Sequence, residues 1–140
     1  MPTNTRLHQG TAAWFEMVGT LMCEAASQSG LSPDLNVSLI ERYTDGVELS
    51  EGVVQGLRFD IVGGRPSFKV GAQHGEQADI TIDITAAAAR ALNNLYSADP
   101  NYSAALETFQ SIDEMRVDGD LAQMGGWIRT VHDAIVDRTA

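Results

Sequence analysis

Few side chains in this sequence are spaced in a way that supports catalysis or metal binding. The three histidines, His8, His74 and His132, lie far apart, and the acidic residues near His132 fall on the outward side of a predicted helix. No nucleophile elbow, phosphate-binding loop, zinc spacing or dinucleotide fingerprint is present. We therefore expect no metal and no cofactor. His132 lies beside an apolar stripe, where both a rim position and a role as a base in a cavity stay open.

Two carboxylate pairs and one thiol are the remaining candidates. Asp113 with Glu114, and Asp118 with Asp120, are close enough in sequence to share a dry site, where like charges raise one pKa. Roles in turns and helix caps explain them better. Cys23 has no basic partner nearby in the sequence, which favours a small buried side chain over a nucleophile. The sequence therefore predicts no catalytic residue.

Composition and charge limit the class of protein and of partner. The 140 residues are enough for one domain, here expected to span 1–140 with residues 1–10 flexible. A net charge of −10 would repel nucleic acid and anionic membrane surfaces. No window approaches the roughly 18 apolar residues of a membrane span, so stable membrane insertion is not expected. One cysteine and the lack of a leader-like pattern predict a cytoplasmic protein.

Four helices are predicted from apolar periodicity and cap residues. The first covers 11–27, with Thr11 as its N-cap, and the second runs from Thr85 to about Ser97. The third begins at Asp99 and Pro100, a cap and first-turn pair that suit each other. The last is predicted from Asp120 to about Arg138 as one continuous apolar-faced helix.

Five strands lie between these helices. Segments 36–44, 53–62, 66–72 and 78–84 favour strands, and 115–117 adds a short one. Residues 78–84 alternate strictly between apolar and polar, which predicts one buried face, one exposed face and antiparallel neighbours. The predicted order is α-β-β-β-β-α-α-β-α. We therefore expect an α+β fold in which the N- and C-terminal helices cover a five-stranded, mainly antiparallel sheet.

Two of these stretches resemble a known family. Residues 75–82, Gly-Glu-Gln-Ala-Asp-Ile-Thr-Ile, and residues 115–120, Met-Arg-Val-Asp-Gly-Asp before an apolar helix, are similar to the sterol carrier protein type 2 (SCP2-like) domain. The likeness in element order extends from about residue 60 to 138. In place of that family's usual Gly and Lys before the last strand stand Ser111 to Glu114, and the chain's last residues carry no peroxisomal address. The resemblance implies a hydrophobic tunnel between sheet and helices for an acyl chain, a sterol or a similar molecule.

A set of lining residues follows from that expectation. Gly125 and Gly126 lie inside the predicted last helix, where each costs about 1 kcal/mol relative to alanine. Either the backbone packs closely on the sheet there, or the helix bends and opens a pocket beside Trp127. The predicted ligand-binding residues are apolar and come from the sheet and the helices: Phe59, Phe68, Ile82, Phe109, Met124, Trp127 and Ile128.

The function that these features favour is non-enzymatic. We expect a binding or carrier protein for a hydrophobic small molecule, either fatty acyl, sterol-like or another lipid, with a homodimer left open. The alternative is a small cavity enzyme of the isomerase, cyclase or epoxide hydrolase type, using an Asp or His as acid or base in an apolar pocket. A strongly perturbed pKa in the largest pocket would favour the enzyme. A filled interior with an exposed apolar patch would favour a protein-interaction module.

Overall fold

The first helix covers a sheet built mostly from the first half of the chain. A computed structural model describes residues 5–140. Helix α1 spans Ala12–Gln28, and the Thr11 side chain accepts a hydrogen bond from the Trp14 amide at 3.1 Å, which caps the helix. The six strands that follow are β1 Val37–Tyr43, β2 Glu48–Ser50, β3 Val53–Val62, β4 Arg65–Ala72, β5 Ile80–Ile84 and, later in the chain, β6 Met115–Asp118.

Strand order in the sheet is β2-β3-β1-β5-β6, with β4 on β3. All pairings are antiparallel except β1 with β5, where Leu39 pairs with Ile80 in parallel register. The expectation of antiparallel neighbours for the 78–84 strand is therefore right for β6 and wrong for β1. The parallel pairing of β5 with β1 results from the crossover through residues 73–79. The Arg42 guanidinium holds this crossover by donating to the carbonyls of Gln73 at 2.9 Å and Glu76 at 2.8 Å. This segment returns the chain to the same end of the sheet at which β1 begins.

The second half of the chain supplies the other helices, and the predicted end of one of them is wrong. Helix α2 spans Ala86–Leu92, so it ends before the predicted Ser97, and Asn94 bonds back to the Arg90 carbonyl at 2.9 Å. Helix α3 spans Pro100–Ser111, and the Asp99 side chain caps it as predicted.

The predicted continuous last helix is broken into two pieces. A 3-10 helix covers Leu121–Met124, and helix α4 covers Trp127–Asp137. Gly125 has φ of 113°, a conformation that side chains other than glycine rarely adopt, and it separates the two pieces. The Trp127 indole donates to the Met124 carbonyl at 2.8 Å across the break. The chain therefore turns at the two glycines. Close packing on the sheet does not explain Gly126, because a Cβ atom added there would meet no other atom within 4 Å.

The α+β class is confirmed, with helices α1 and α4 flanking a mainly antiparallel sheet that has one more strand than predicted, the short β2. The chain ends lie side by side. Leu7 donates its amide to the Arg138 carbonyl and accepts from the Ala140 amide, both at 2.8 Å. Leu7 is thereby joined to the last residues of the chain, residues 1–4 lie outside the described residues, and the flexibility of 1–10 stays a prediction.

The dense part of the core lies under α1. Phe15 is 1% exposed, and its ring packs edge-on against Trp14 at 5.0 Å and Tyr43 at 5.4 Å between ring centres. Gly19 lies under the Phe68 ring of β4, where a Cβ atom would collide with that ring. Helix α1 therefore approaches β4 closely and fixes one half of the molecule.

Candidate functional site

A cavity of about 700 Å³ lies between the sheet and the helices. Its floor is formed by one face of β1, β3, β5 and β6, and its walls and roof by parts of all four helices. This volume is in the range of small-molecule sites in proteins. Its apolar lining residues are Trp14, Phe15, Val18, Met22, Leu39, Leu57, Ile82, Ile84, Ala89, Leu92, Leu106, Met115, Val117, Leu121, Ile128, Val131 and Ile135.

Helix α3 covers this cavity without filling it. None of its twelve residues is fully buried, although Tyr102 and Leu106 line the cavity and pack against the core. Ser103 and Gln110 of the same helix also border the cavity and are exposed, so they lie where it meets solvent. The apolar stripe of α3 is therefore only partly covered by packed side chains, and the rest of it borders open space. The space beneath α3 is therefore the cavity itself.

A single carboxyl group lies on the apolar floor. Glu41 is in the middle of β1, on the same face as Leu39, because side chains two apart in a strand share a face. It is paired in register with Leu57 of β3 and Ile82 of β5, and both of these also line the cavity. The Glu41 carboxyl group has no hydrogen bond or ion pair to any residue in the described part of the chain. The side chain is thus placed between apolar neighbours with the cavity in front of it.

Burial changes the acidity of this group. Removal from water raises the pKa of the Glu41 carboxyl to about 7, because the protein surroundings solvate a carboxylate poorly. The pKa of Tyr102, across the cavity on α3, is also raised, first by its own burial and then by the charge of Glu41. At neutral pH Glu41 is therefore divided between its acid and its anion.

Helix α4 contributes the basic groups that border the cavity. His132 is held by the Leu95 carbonyl, which accepts from Nε2 at 2.8 Å, and its ring packs on Tyr102 with 4.5 Å between centres. These contacts join α4 to α3 and to the loop that precedes α3. Arg129 is exposed and also borders the cavity. Among the described residues, neither His132 nor Arg129 forms a hydrogen bond or an ion pair with the Glu41 carboxyl.

The seven predicted site residues are divided between this cavity and the packed region beside it. Ile82 and Ile128 lie in the cavity lining. Phe59 and Trp127 pack on each other with 5.5 Å between ring centres. Met124 is fully buried and directly precedes Gly125, where the last helix is broken. Phe59 is paired with the lining residue Leu39 across β1 and β3, which places this packed group at one end of the cavity.

Phe68 and Phe109, the other two predicted residues, lie away from the lining. Phe68 contacts α1 at Gly19, and Phe109 is partly buried on α3 one residue before the rim residue Gln110. Sequence reasoning missed Glu41, although a signal was present. Val37, Leu39 and Tyr43 alternate as apolar residues on one face of a strand, and Glu41 is the one charged residue in that series.

The other groups considered for chemistry have structural roles. Asp120 accepts from the Ala122 amide at 3.0 Å, and Glu114 accepts from the Thr85 hydroxyl at 3.2 Å. Burial, and then the nearby Glu24, raise the pKa of the Cys23 thiol, which makes it a poorer nucleophile. Within residues 5–140, no three of the His, Cys, Asp and Glu side chains are grouped so that they could hold a metal ion.

The architecture matches known structures although the sequence does not match known families. No family model matches the sequence, and no curated protein is similar to it. A crystal structure of sterol carrier protein 2 superimposes with a TM-score of 0.55 at 12% identity, over 95% of this chain and 100% of that one. The chain has the sterol carrier protein 2 fold. The resemblance in the sequence motifs is thereby confirmed at the level of the fold.

Two further solved structures give lower TM-scores, and the fold assignment rests on the first. A UbiJ-SCP2 ubiquinone synthesis protein matches at 15% identity with a TM-score of 0.48, over 89% of each chain. A conserved hypothetical protein from Thermus thermophilus, described as possibly a sterol carrier protein, matches at 15% identity with a TM-score of 0.48, over 94% of this chain and 92% of that one. Identity this low establishes the sterol carrier protein 2 fold alone, so the ligand has to be argued from the cavity.

Across residues 5–140, none of the helices has both the length and the apolar composition that crossing a bilayer requires.

Proposed function

We propose that this protein is a non-enzymatic binding or carrier protein for a hydrophobic small molecule, of the fatty acyl, sterol-like or other lipid class. The observation that carries the proposal is the cavity of about 700 Å³, whose lining is mostly apolar and which lies under a helix with no buried residue.

The energetics are sufficient for useful affinity. About ten methylene groups moved from water into the cavity contribute roughly 8 kcal/mol before the costs of association and ordering. A micromolar dissociation constant corresponds to a net binding free energy of about 8 kcal/mol, so contacts beyond these ten methylene groups have to offset the costs of association and ordering. Longer or bulkier apolar ligands supply such contacts along the walls.

Among the predicted site residues, Ile82 and Ile128 are proposed to contact the ligand directly. Phe59, Met124 and Trp127 are proposed to close one end of the cavity, where Phe59 and Trp127 are already packed together. Phe68 and Phe109 are proposed to act indirectly, by holding α1 and α3 in place.

A blocking variant tests this function. Leu106→Trp places a large side chain on the cavity side of α3, whereas Glu107→Trp adds the same side chain at an exposed neighbouring position. Binding of the neutral dye Nile red, and its displacement by 1-dodecanol, are measured by fluorescence for both variants. We expect Leu106→Trp to weaken binding by at least about tenfold, since it removes most of the apolar contact, while Glu107→Trp binds like the wild type. Absence of dye and alcohol binding to the wild type at tens of micromolar would reject the function.

The setting of the protein follows from the same properties. We infer that nucleic acid is not a partner, since the net charge of −10 opposes a phosphate backbone. A cytoplasmic location and a single domain over 1–140 stay predictions from the sequence, as does the option of a homodimer. Sedimentation velocity at two concentrations tests the last of these.

Acid–base catalysis is a second candidate, and Glu41 is the observation that favours it. Among the described residues, the lining contains no aspartate, and the carboxyl with a pKa near neutrality is a glutamate rather than the expected Asp or His. Mass spectrometry of long-chain epoxides and β,γ-unsaturated ketones incubated with the protein tests this candidate. Turnover that is lost in Glu41→Gln would replace the carrier by an enzyme, and unchanged compounds would leave binding as the function.

A further inference from the structure

The cavity contains one polar group whose position requires an explanation. Glu41 lies between Leu57 and Ile82 on the floor, at a point where an apolar ligand would cover it. A carboxylate that loses its remaining water without gaining a hydrogen bond is strongly unfavourable. A ligand without a polar group would therefore be penalised at this position.

Within the described part of the chain, no protein group donates a hydrogen bond to the Glu41 carboxylate. Strands β3, β5 and β6 and helices α1 and α2 contribute mostly apolar side chains around the cavity, with Asn93 at the end of α2. The titratable or charged groups that face it, besides Glu41, are Tyr102 from α3 and Arg129 and His132 from α4. None of these three side chains bonds to Glu41, and the Tyr102 hydroxyl has no hydrogen bond to any residue in the described range.

The charge of Glu41 also selects against one type of ligand. A second carboxylate placed beside it in a medium of low dielectric constant is repelled, so a fatty acid anion with its head group at the floor is disfavoured. A hydroxyl group at the same position donates a hydrogen bond to Glu41 and carries no charge. Such a bond to an ionised acceptor is stronger than one between neutral groups.

We propose that the molecule bound in this cavity carries an uncharged hydrogen-bond donor, as a long-chain alcohol does, and that this donor pairs with the Glu41 carboxylate at the cavity floor. The inference rests on the proposed function and narrows its ligand class. Glu41 is then the residue that orients the ligand, with the donor end at the floor and the apolar body along the walls.

Three compounds with the same twelve-carbon chain distinguish the effect of a hydrogen-bond donor on affinity from the effect of a negative charge. 1-Dodecanol has a donor, dodecyl methyl ether has none, and dodecanoate is an anion, while all share one alkyl chain. Their dissociation constants are measured at pH 8.5, where Glu41 is ionised, by displacement of Nile red from the wild type. Since bonds to charged groups contribute about 1.5 to 3 kcal/mol, we expect the alcohol to bind about tenfold or more tightly than the ether. Dodecanoate should bind more weakly than the alcohol.

Substitutions of Glu41 test whether its carboxylate causes the preference for the alcohol over the ether. Glu41→Leu removes the acceptor and should bring the alcohol and the ether to similar affinity. Glu41→Gln retains a weaker neutral acceptor and should leave a smaller preference, and it serves if the Leu variant does not fold. Glu48→Gln, at an exposed position of β2 outside the cavity, should keep the wild-type preference. At pH 5.5, protonated Glu41 can donate to the ether oxygen, so the wild-type preference should shrink.

The outcomes are distinct. Equal binding of the alcohol and the ether by the wild type at pH 8.5, or a preference that survives in Glu41→Leu, overturns the inference and leaves the proposed function standing. Dodecanoate binding as tightly as the alcohol also overturns it, with Arg129 at the rim as the alternative contact for the anion. Binding of none of the three compounds, and of no dye, rejects the proposed function and this inference together.

Discussion

Helices α1 and α3 lie on the same side of one sheet and have opposite relations to it. Helix α1 buries seven residues, including Phe15 and Gly19, whereas α3 buries none. The sequence of α1 carries large aromatic side chains and a glycine that allows close approach, while α3 carries a narrow apolar stripe with polar residues around it. Helix α1 therefore contributes closely packed core residues as well as part of the cavity lining, whereas α3 contributes only partly buried residues that cover the cavity.

Truncation of one apolar side chain in each half gives the largest expected contrast. Phe15→Ala should lower the free energy of unfolding by about 3 to 5 kcal/mol, because it removes a ring that borders the cavity but is almost fully buried and packs against Trp14 and Tyr43. Leu106→Ala, which removes contacts beside a space that is already present, should cost about 1 kcal/mol or less. Urea unfolding of the wild type and both variants measures these values. A similar cost for the two variants would show that the α3 half is as tightly packed as the α1 half.

The charge on the cavity floor gives the next largest effect. Glu41 has its ordinary pKa of 4.5 in the unfolded chain and about 7 in the folded protein, so the folded state holds the proton more tightly. Stability of the wild type therefore falls as pH rises from 4.5 to 7, relative to Glu41→Gln, and the difference is constant above pH 7. Between about pH 5 and pH 8 the difference in unfolding free energy should change by about 2 to 3 kcal/mol in favour of the variant.

Urea unfolding at several pH values checks this, with Glu48→Gln as the exposed control, which should follow the wild type. Parallel stability profiles for the wild type and Glu41→Gln would mean that Glu41 is well solvated. In that case the floor of the cavity would be wet rather than apolar.

Alanine substitutions at Gly19 and Gly126 compare a closely packed position with an open one, and their expected effects on stability are smaller. Gly19→Ala should destabilise by about 1 to 3 kcal/mol, because the new methyl group collides with the Phe68 ring and overpacks the α1 half. Gly126→Ala, where nothing lies within 4 Å of the added atom, should be neutral or slightly stabilising. Thermal unfolding compares the two variants. If Gly19→Ala raises the melting temperature, α1 does not pack closely on β4.

Local signals predicted most of the elements, and long-range geometry explains the errors. Caps at Thr11 and Asp99 gave the starts of α1 and α3, and alternation gave β5, because these patterns depend on residues close in the chain. The parallel pairing of β5 with β1 depends on where the 73–79 crossover returns, which no local pattern encodes. The break at Gly125 was visible as a weak point in the helix, but its left-handed backbone depends on tertiary contacts around Trp127.

The candidate site was less accessible to sequence reasoning. Apolar residues that fill a core and those that line a cavity look alike, so Phe59 and Trp127 were grouped with Ile82 and Ile128 although the first two are packed together. Glu41 was the better indicator, since a charged residue among inward-facing apolar residues of a strand is unusual.

Hydrogen exchange of the wild-type amides with and without saturating 1-dodecanol tests the central claim most directly. If the space beneath α3 is where the apolar molecule binds, the ligand fills it and couples the helix to the sheet. Exchange should then slow most across residues 102–111 of α3, while the amides of α1, which borders the cavity but is already fixed by packing on β4, should change less. Binding of the alcohol with no change in α3, or with protection confined to the outer surface of α1, would contradict the account.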